Sequence, residues 1–181
     1  MSYRITGTGS CIPDIAKKNS DFLKNKFLDT DGGKFQSSNS EIIDKFNSIT
    51  GICERRYAPD EINCSDLAAV AAGLAINDSK LDQETLDYII VAHNTGDISC
   101  SSGQVDTLPS VASRVKAKLK IKNPNCVAYD IICGCPGWVE GIIQAKSFIK
   151  SGMAEKCLVV GCDTLSRILD ENDRDSMIYA L

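Results

Sequence analysis

The segment from Cys126 to Gly152 constrains the fold more than any other. Cys126–Ile132 is almost continuously apolar, as a strand covered on both faces would be. It runs into Cys133-Gly134-Cys135-Pro136-Gly137, where Gly134 and Gly137 permit a tight turn and close approach of other groups. Pro136 suits the first helical position, where its missing N–H costs nothing. Trp138, Val139, Ile142, Ile143, Ala145, Phe148 and Ile149 then follow as an apolar helix that stops near Gly152. A buried strand is therefore expected to turn directly into a helix at Cys135.

The rest of the chain continues that alternation. Tyr3–Thr8 reads as a strand, and Glu41–Ile49 as a short helix. A second helix follows Ser65, a good N-cap with Asp66 in the first turn. Its Leu67, Val70, Ala71 and Leu74 have the spacing of one buried face. Tyr88–Ala92 is a short apolar run fit for a central strand. A helix begins near Leu108-Pro109 with Val111, Val115 and Leu119 as its buried stripe, and Cys157–Gly161 is a last strand. Asp29–Lys34 has turn composition. Strands alternating with helices imply an α/β fold with mostly parallel pairing and helices on both sheet faces. At 181 residues, with no repeat or interdomain linker, one domain is expected.

Composition excludes several classes of function. The net charge of −4 lacks the concentrated basic surface that a nucleic-acid partner requires. The run Arg114, Lys116, Lys118, Lys120 and Lys122 reads as the wet face of the helix carrying Val111 and Val115. No segment approaches the roughly 20 apolar residues of a membrane span. The start, Met-Ser-Tyr-Arg-Ile, lacks a signal peptide's apolar core, so a cytoplasmic location is expected. The nine cysteines are odd in number, and Cys126, Cys157 and Cys162 lie in or beside strand-like runs, so reduced thiols are expected. Cys133 and Cys135 form the only close pair, with no second pair at zinc-site spacing, and no metal is expected. Gly7-Thr8-Gly9 lacks a dinucleotide loop's third glycine and reads as a tight turn.

Cys135 is the candidate nucleophile. A thiol at a helix N-terminus lies near unpaired backbone N–H groups and the positive end of the helix dipole, and both favour the thiolate. The competing reading is a structural cysteine at an ordinary strand–helix junction. His93, the only histidine, ends the Tyr88–Ala92 strand and reads as structural or pocket-lining.

Asp130-Ile-Ile-Cys-Gly-Cys-Pro-Gly-Trp138 resembles the active-site segment of 3-oxoacyl-[acyl-carrier-protein] synthase III, a condensing enzyme of the thiolase superfamily. Gly7–Pro13, Thr50-Gly-Ile-Cys-Glu-Arg-Arg56, Lys150-Ser-Gly152, Leu158–Asp163 and Asp173-Arg174 match other segments of that family in order and spacing. The resemblance implies a thiolase-like α/β fold, with residues 1–181 as the N-terminal domain, one half of a duplicated α-β-α-β-α architecture whose C-terminal half is absent from this chain. It implies fatty-acid or related biosynthesis in which Cys135 accepts an acyl group and condenses it with a malonyl unit. The partners implied are acyl-CoA and malonyl-acyl carrier protein, in a homodimer. No cofactor is implied, coenzyme A thioester being a substrate. Arg174 matches an arginine that stacks on the coenzyme A adenine, and Leu165 a leucine at the acyl pocket. Lys45 and Ile49 fall where the family has a tryptophan and an arginine on the adenine side. The family's catalytic His and Asn belong to the other half, and without it this chain is expected to be inactive. Acyl transfer without condensation and a non-catalytic partner subunit are the alternative functions.

Overall fold

The structure is a computed structural model that describes residues 3–29 and 31–179, the side chain of residue 179 excepted. In chain order the elements are β1 (Ile15–Lys18), α1 (Asn39–Thr50), β2 (Glu54–Tyr57), α2 (Cys64–Ser79), β3 (Tyr88–His93), β4 (Asp97–Ile98) and β5 (Val105–Asp106). There follow α3 (Val111–Lys118), β6 (Val127–Ile132), α4 (Gly137–Ser151), β7 (Cys157–Gly161) and α5 (Arg174–Tyr179). They form two compact units. One joins the residues up to Ile12 to Asp60–Asp163, and the other joins Pro13–Pro59 to the residues from Thr164 on.

The first unit contains the expected parallel sheet, in the order β6-β3-β7, with Val91 opposite both Asp130 and Val160. Strand periodicity separates its two faces. Ile89, Val91, Leu158 and Val160 pack with Ala68, Ala72 and Ile76 of α2 and with Val111, Ala112 and Val115 of α3. The other face receives α4, where a Cβ on Gly141 would lie 2.7 Å from Val159 Cγ1 and 3.6 Å from Ile90 Cγ2. Helices thus cover both faces, as the alternation requires. β4 and β5 add a small antiparallel pair outside this sheet.

Several expectations need correction. Residues 3–8 form no strand. Gly7 and Gly9 lie against α2 so closely that a Cβ on either would clash with the carbonyl oxygens of Ala75 and Ala71, respectively. The Thr8 N–H donates to Asp78 Oδ2 at 2.9 Å. This segment is committed to the helix instead of a sheet edge. The N-terminal residue preceding α2 is Asn63, not Ser65, and its N–H donates to Asp66 Oδ2 at 2.9 Å. Ser65 is buried in the first turn and bound to Asp97. The buried face of α2 runs through Ala68, Ala72 and Ile76, whereas Val70 and Leu74 are exposed. Small alanines allow the helix to approach the sheet, and the apolar residues all round it left the pattern unable to choose a face. α3 begins after Ser110, whose Oγ accepts the Ser113 N–H. β6 lies at the edge of the three-stranded sheet, and Val127 and Ile132 are exposed instead of covered.

The second unit holds β1, α1, β2 and α5. Ser38 caps α1 with Glu41 in a capping box, and Gly51 ends it in the left-handed region. β1 and β2 pair antiparallel. The core is Phe22, Phe27, Ile42, Phe46 and Met177. Arg55 of the Thr50–Arg56 segment is buried in this core, donating to Asn19 Oδ1 at 2.7 Å and to the Met177 carbonyl at 3.1 Å. Its guanidinium lies 5.2 Å from the Phe46 ring centroid. Asp29 Oδ1 accepts the N–H groups of Asp31 and Gly33, which closes the expected turn; Thr30 lies outside the described residues.

Candidate active site

Three parallel strands end at one edge of the first unit's sheet. Open parallel sheets place their chemistry at the carboxyl ends of strands, where the backbone leaves the ladder and is free to present groups. β6 is followed by Cys133–Pro136, β3 by Asn94, and β7 by Cys162 and Asp163. The register places Ile132 opposite His93, and Ala92 opposite Gly161, so these exits are neighbours.

The turn after β6 is tight. Gly134 has φ of 44°, a conformation that favours glycine. Its carbonyl accepts the Gly137 N–H at 3.1 Å, and the Pro136 carbonyl accepts the Glu140 N–H at 3.0 Å. Pro136 stands one position before the first residue of α4, not within the helix. Cys135 therefore lies on the outside of the elbow, exposed, just ahead of α4. Cys133 is exposed as well, so exposure alone does not separate the two thiols. Gly152, with φ of 78°, ends α4 where the sequence indicated.

Asn94 and Asp163 were not singled out as a pair in the sequence. Asp163 Oδ1 accepts the Asn94 backbone N–H at 2.9 Å, and Oδ2 accepts its Nδ2 at 2.7 Å. A Cβ on Gly134 would lie 3.7 Å from Asn94 Oδ1, which places this pair beside the elbow. Only the parallel register brings these residues together, although each stands just past a recognisable strand.

His93 is 1% exposed, and both its ring nitrogens are engaged. The Gly96 N–H donates to Nδ1 at 2.9 Å, so Nε2 carries the proton and donates to Asp130 Oδ2 at 3.0 Å. The same carboxylate accepts the Val111 and Ala112 N–H groups, each at 2.7 Å, at the start of α3. Burial opposes ionisation of Asp130, but the His93 bond and the two backbone N–H groups outweigh it and hold its carboxyl below its ordinary range. This arrangement is a structural clamp. It leaves His93 no free nitrogen with which to accept a proton from Cys135.

The other two candidate residues lie in the second unit. Leu165 opens a one-turn 3-10 helix, Leu165–Arg167, and is half-buried. Arg174 is the first residue of α5. Its guanidinium carbon lies 4.4 Å from the Phe35 ring centroid, while Nε and Nη2 bond Asp175 Oδ1 at 2.8 and 2.7 Å. Among the described residues no cluster of three His, Cys, Asp or Glu side chains is arranged to hold a metal ion. No described helix is long and apolar enough to cross a membrane.

Comparison with known proteins gives this geometry its context. The family model for 3-oxoacyl-[acyl-carrier-protein (ACP)] synthase III matches residues 129–180, a span that includes Cys135, Leu165 and Arg174. The beta-ketoacyl-[acyl-carrier-protein] synthase III of Neisseria gonorrhoeae (strain NCCP11945) is 37% identical over 179 residues, 98% of this chain and 49% of the relative. The crystal structure of 3-oxoacyl-[acyl-carrier-protein] synthase III from Aquifex aeolicus VF5 superposes with a TM-score of 0.74 at 33% identity, covering 96% of this chain and 49% of that one. The corresponding enzyme of Thermus thermophilus gives a TM-score of 0.75 at 31% identity, covering 97% and 47%. The chain spans about half the length of the curated relatives it matches. With its thiolase-like α/β fold, the chain matches the N-terminal half of the 3-oxoacyl-[acyl-carrier-protein] synthase III family.

Proposed function

We propose that this chain supplies the nucleophile to a condensing enzyme of fatty-acid or related acyl-chain biosynthesis, and that Cys135 is the residue acylated. The observation that carries this reading is the position of Cys135. It is exposed on the elbow between β6 and α4, at the carboxyl edge of a parallel sheet, inside the segment that the family model matches. In the proposed reaction the Cys135 sulfur attacks the carbonyl of an acyl thioester. The carbon–sulfur bond to coenzyme A breaks, coenzyme A leaves as its thiol, and an acyl-enzyme remains. A malonyl thioester on acyl carrier protein then loses carbon dioxide, and the resulting carbanion attacks the acyl carbonyl and frees Cys135. The Cys135 backbone N–H is the natural donor to the oxyanion, because it belongs to the turn that presents the sulfur. Splitting the reaction through a covalent intermediate gives ping-pong kinetics.

His93 is engaged in the clamp with Asp130, so the groups that stabilise the decarboxylation carbanion are assigned to residues outside this chain. Arg174 is proposed to meet the adenine of coenzyme A, because its planar guanidinium is already oriented by Phe35 and Asp175. Leu165 is proposed for the acyl pocket.

Intact-mass spectrometry and peptide mapping after incubation with an acyl-CoA test the assignment. The wild type is expected to gain one acyl group on Cys135, Cys133→Ser to keep that adduct, and Cys135→Ser to lose it. An adduct mapped to Cys133 overturns the assignment.

A further inference from the structure

Away from Cys135, two other cysteines of the first unit face each other. Cys64, the first residue of α2, and Cys162, the first residue after β7, place their sulfur atoms 2.9 Å apart. They are 98 positions apart in the chain. A disulfide has a sulfur–sulfur bond of about 2.05 Å, so closure requires a shift of less than about 1 Å. The backbone on each side is held. Ser65, next to Cys64, donates its N–H and its hydroxyl to the two oxygens of Asp97, both at 2.7 Å. Cys162 donates its N–H to the Ala92 carbonyl at 3.0 Å, and the next residue, Asp163, is bound to Asn94. The sulfurs are thus brought together by elements that other interactions already fix. Cys64 is fully buried, whereas Cys162 is half-buried and so within reach of a small oxidant.

We propose that Cys64 and Cys162 form a reversible disulfide when the protein meets a peroxide. The Cys162 sulfur attacks one peroxide oxygen and the O–O bond breaks, leaving Cys162 as a sulfenic acid and releasing water. The Cys64 sulfur then attacks the sulfenic sulfur. The S–S bond forms, and the sulfenic hydroxyl leaves as a second water with the proton of Cys64. Two thiols are oxidised by two electrons and one peroxide is reduced to two waters. The asymmetry suits these roles. The bond from Cys64 to Cys162, with burial, raises the Cys64 pKa, so the half-buried Cys162 is the sulfur that meets the peroxide first and Cys64 the one that follows. A thiol reductant reverses the bond by exchange.

The bond would join the first turn of α2 to the carboxyl end of β7. Because it closes a long loop, it is expected to raise the thermal midpoint by about 5 °C or more. The test treats the whole protein with hydrogen peroxide under native conditions, followed by catalase, denaturation, alkylation of free thiols and peptide mapping. The expected result is a peptide pair linking Cys64 to Cys162, two hydrogens lighter than the sum and abolished by dithiothreitol. The rise in midpoint should vanish in Cys162→Ser, while Cys135→Ser should still form the link, which separates this pair from the proposed nucleophile. Recovery of both residues fully alkylated overturns the proposal, as does oxidation of Cys162 to the sulfinic acid with Cys64 left free.

Discussion

Arg174 is held on two sides by its neighbours. Phe35 covers the guanidinium at 4.4 Å, and Asp175 fixes its edge through Nε and Nη2. Phe35 is placed by the Phe35 N–H to Phe27 carbonyl bond at 3.0 Å. The same stretch is tied to the α5 side by the Leu28 N–H, which donates to the Asn172 carbonyl at 2.9 Å. Lys45 and Ile49, however, replace the adenine-side aromatic and arginine that the family resemblance leads one to expect. We propose that the primer either arrives on acyl carrier protein or binds as a coenzyme A thioester through different adenine-side contacts, Arg174 being the contact retained. Steady-state kinetics of the whole protein with matched acyl-CoA and acyl-carrier donors check this. Arg174→Ala is expected to change kcat/KM for the acyl-carrier donor by less than about threefold, well under the 1.4 kcal/mol that a factor of ten represents. A preference for acyl-CoA of tenfold or more that disappears in Arg174→Ala would count against carrier delivery.

Among the elements, β3, β6 and α3 are held at one point by Asp130. Asn at this position would turn an amide N–H₂ toward a donor, the Ala112 N–H in one orientation and both His93 Nε2–H and the Val111 N–H in the other. Asp130→Asn is therefore expected to cost about 1–3 kcal/mol, seen as a thermal midpoint lower by roughly 2–4 °C per kcal/mol. The pH dependence has a definite sign. The fold holds the Asp130 carboxyl below its ordinary value, so the unfolded chain takes up that proton first as pH falls. The stabilisation is complete above pH about 4 and is lost as pH falls through the lower folded value. The gap between wild type and Asp130→Asn should accordingly be widest near neutrality and narrow toward pH 3, and a gap independent of pH would exclude an ionised clamp. The sequence showed the elements of this region but not the clamp. β3, α3, α4 and β7 were legible because their apolar spacing is strict and Gly152 marks the end of α4, whereas the start of α3 at Ser110 was placed near Leu108-Pro109. The meeting of Asp130 with α3, or of Asn94 with Asp163, depends on strand register and helix placement, which local patterns do not encode. The face of α2 was misread for a different reason: Leu67, Val70, Ala71 and Leu74 and Ala68, Ala72 and Ile76 satisfy helical spacing equally, and only packing chooses between them. The elbow that carries Cys135 was legible because turn glycines, a proline and a helix start all converge there.

For the molecule as a whole, the surface of α4 is the decisive feature. Trp138, Val139 and Ile143 are each about half exposed, at 47%, 51% and 47%, and Ile132, just before the elbow, is 67% exposed. Gly141 and Ala145 face inward, so the helix presents large apolar side chains outward while its small ones meet the sheet. Fully burying such a side chain contributes about 1.5–3 kcal/mol, so four that remain largely open forfeit several kcal/mol. That is a substantial part of the 5–15 kcal/mol by which an ordinary domain is stable. A face of this kind on a chain spanning about half the length of its relatives is proposed to be covered in the whole protein by the remaining sequence. Residues 1–181 produced alone are therefore expected to self-associate, to bind a hydrophobic dye, and to leave acyl and malonyl thioesters uncondensed. Co-production with the remainder of the protein should suppress the association and the dye signal together. Light scattering, dye fluorescence and a condensation assay give the answer. A monomer of residues 1–181 that excludes the dye and condenses both thioesters unaided would refute the half-enzyme reading, because it would show that neither a cover for α4 nor a second set of catalytic groups is needed.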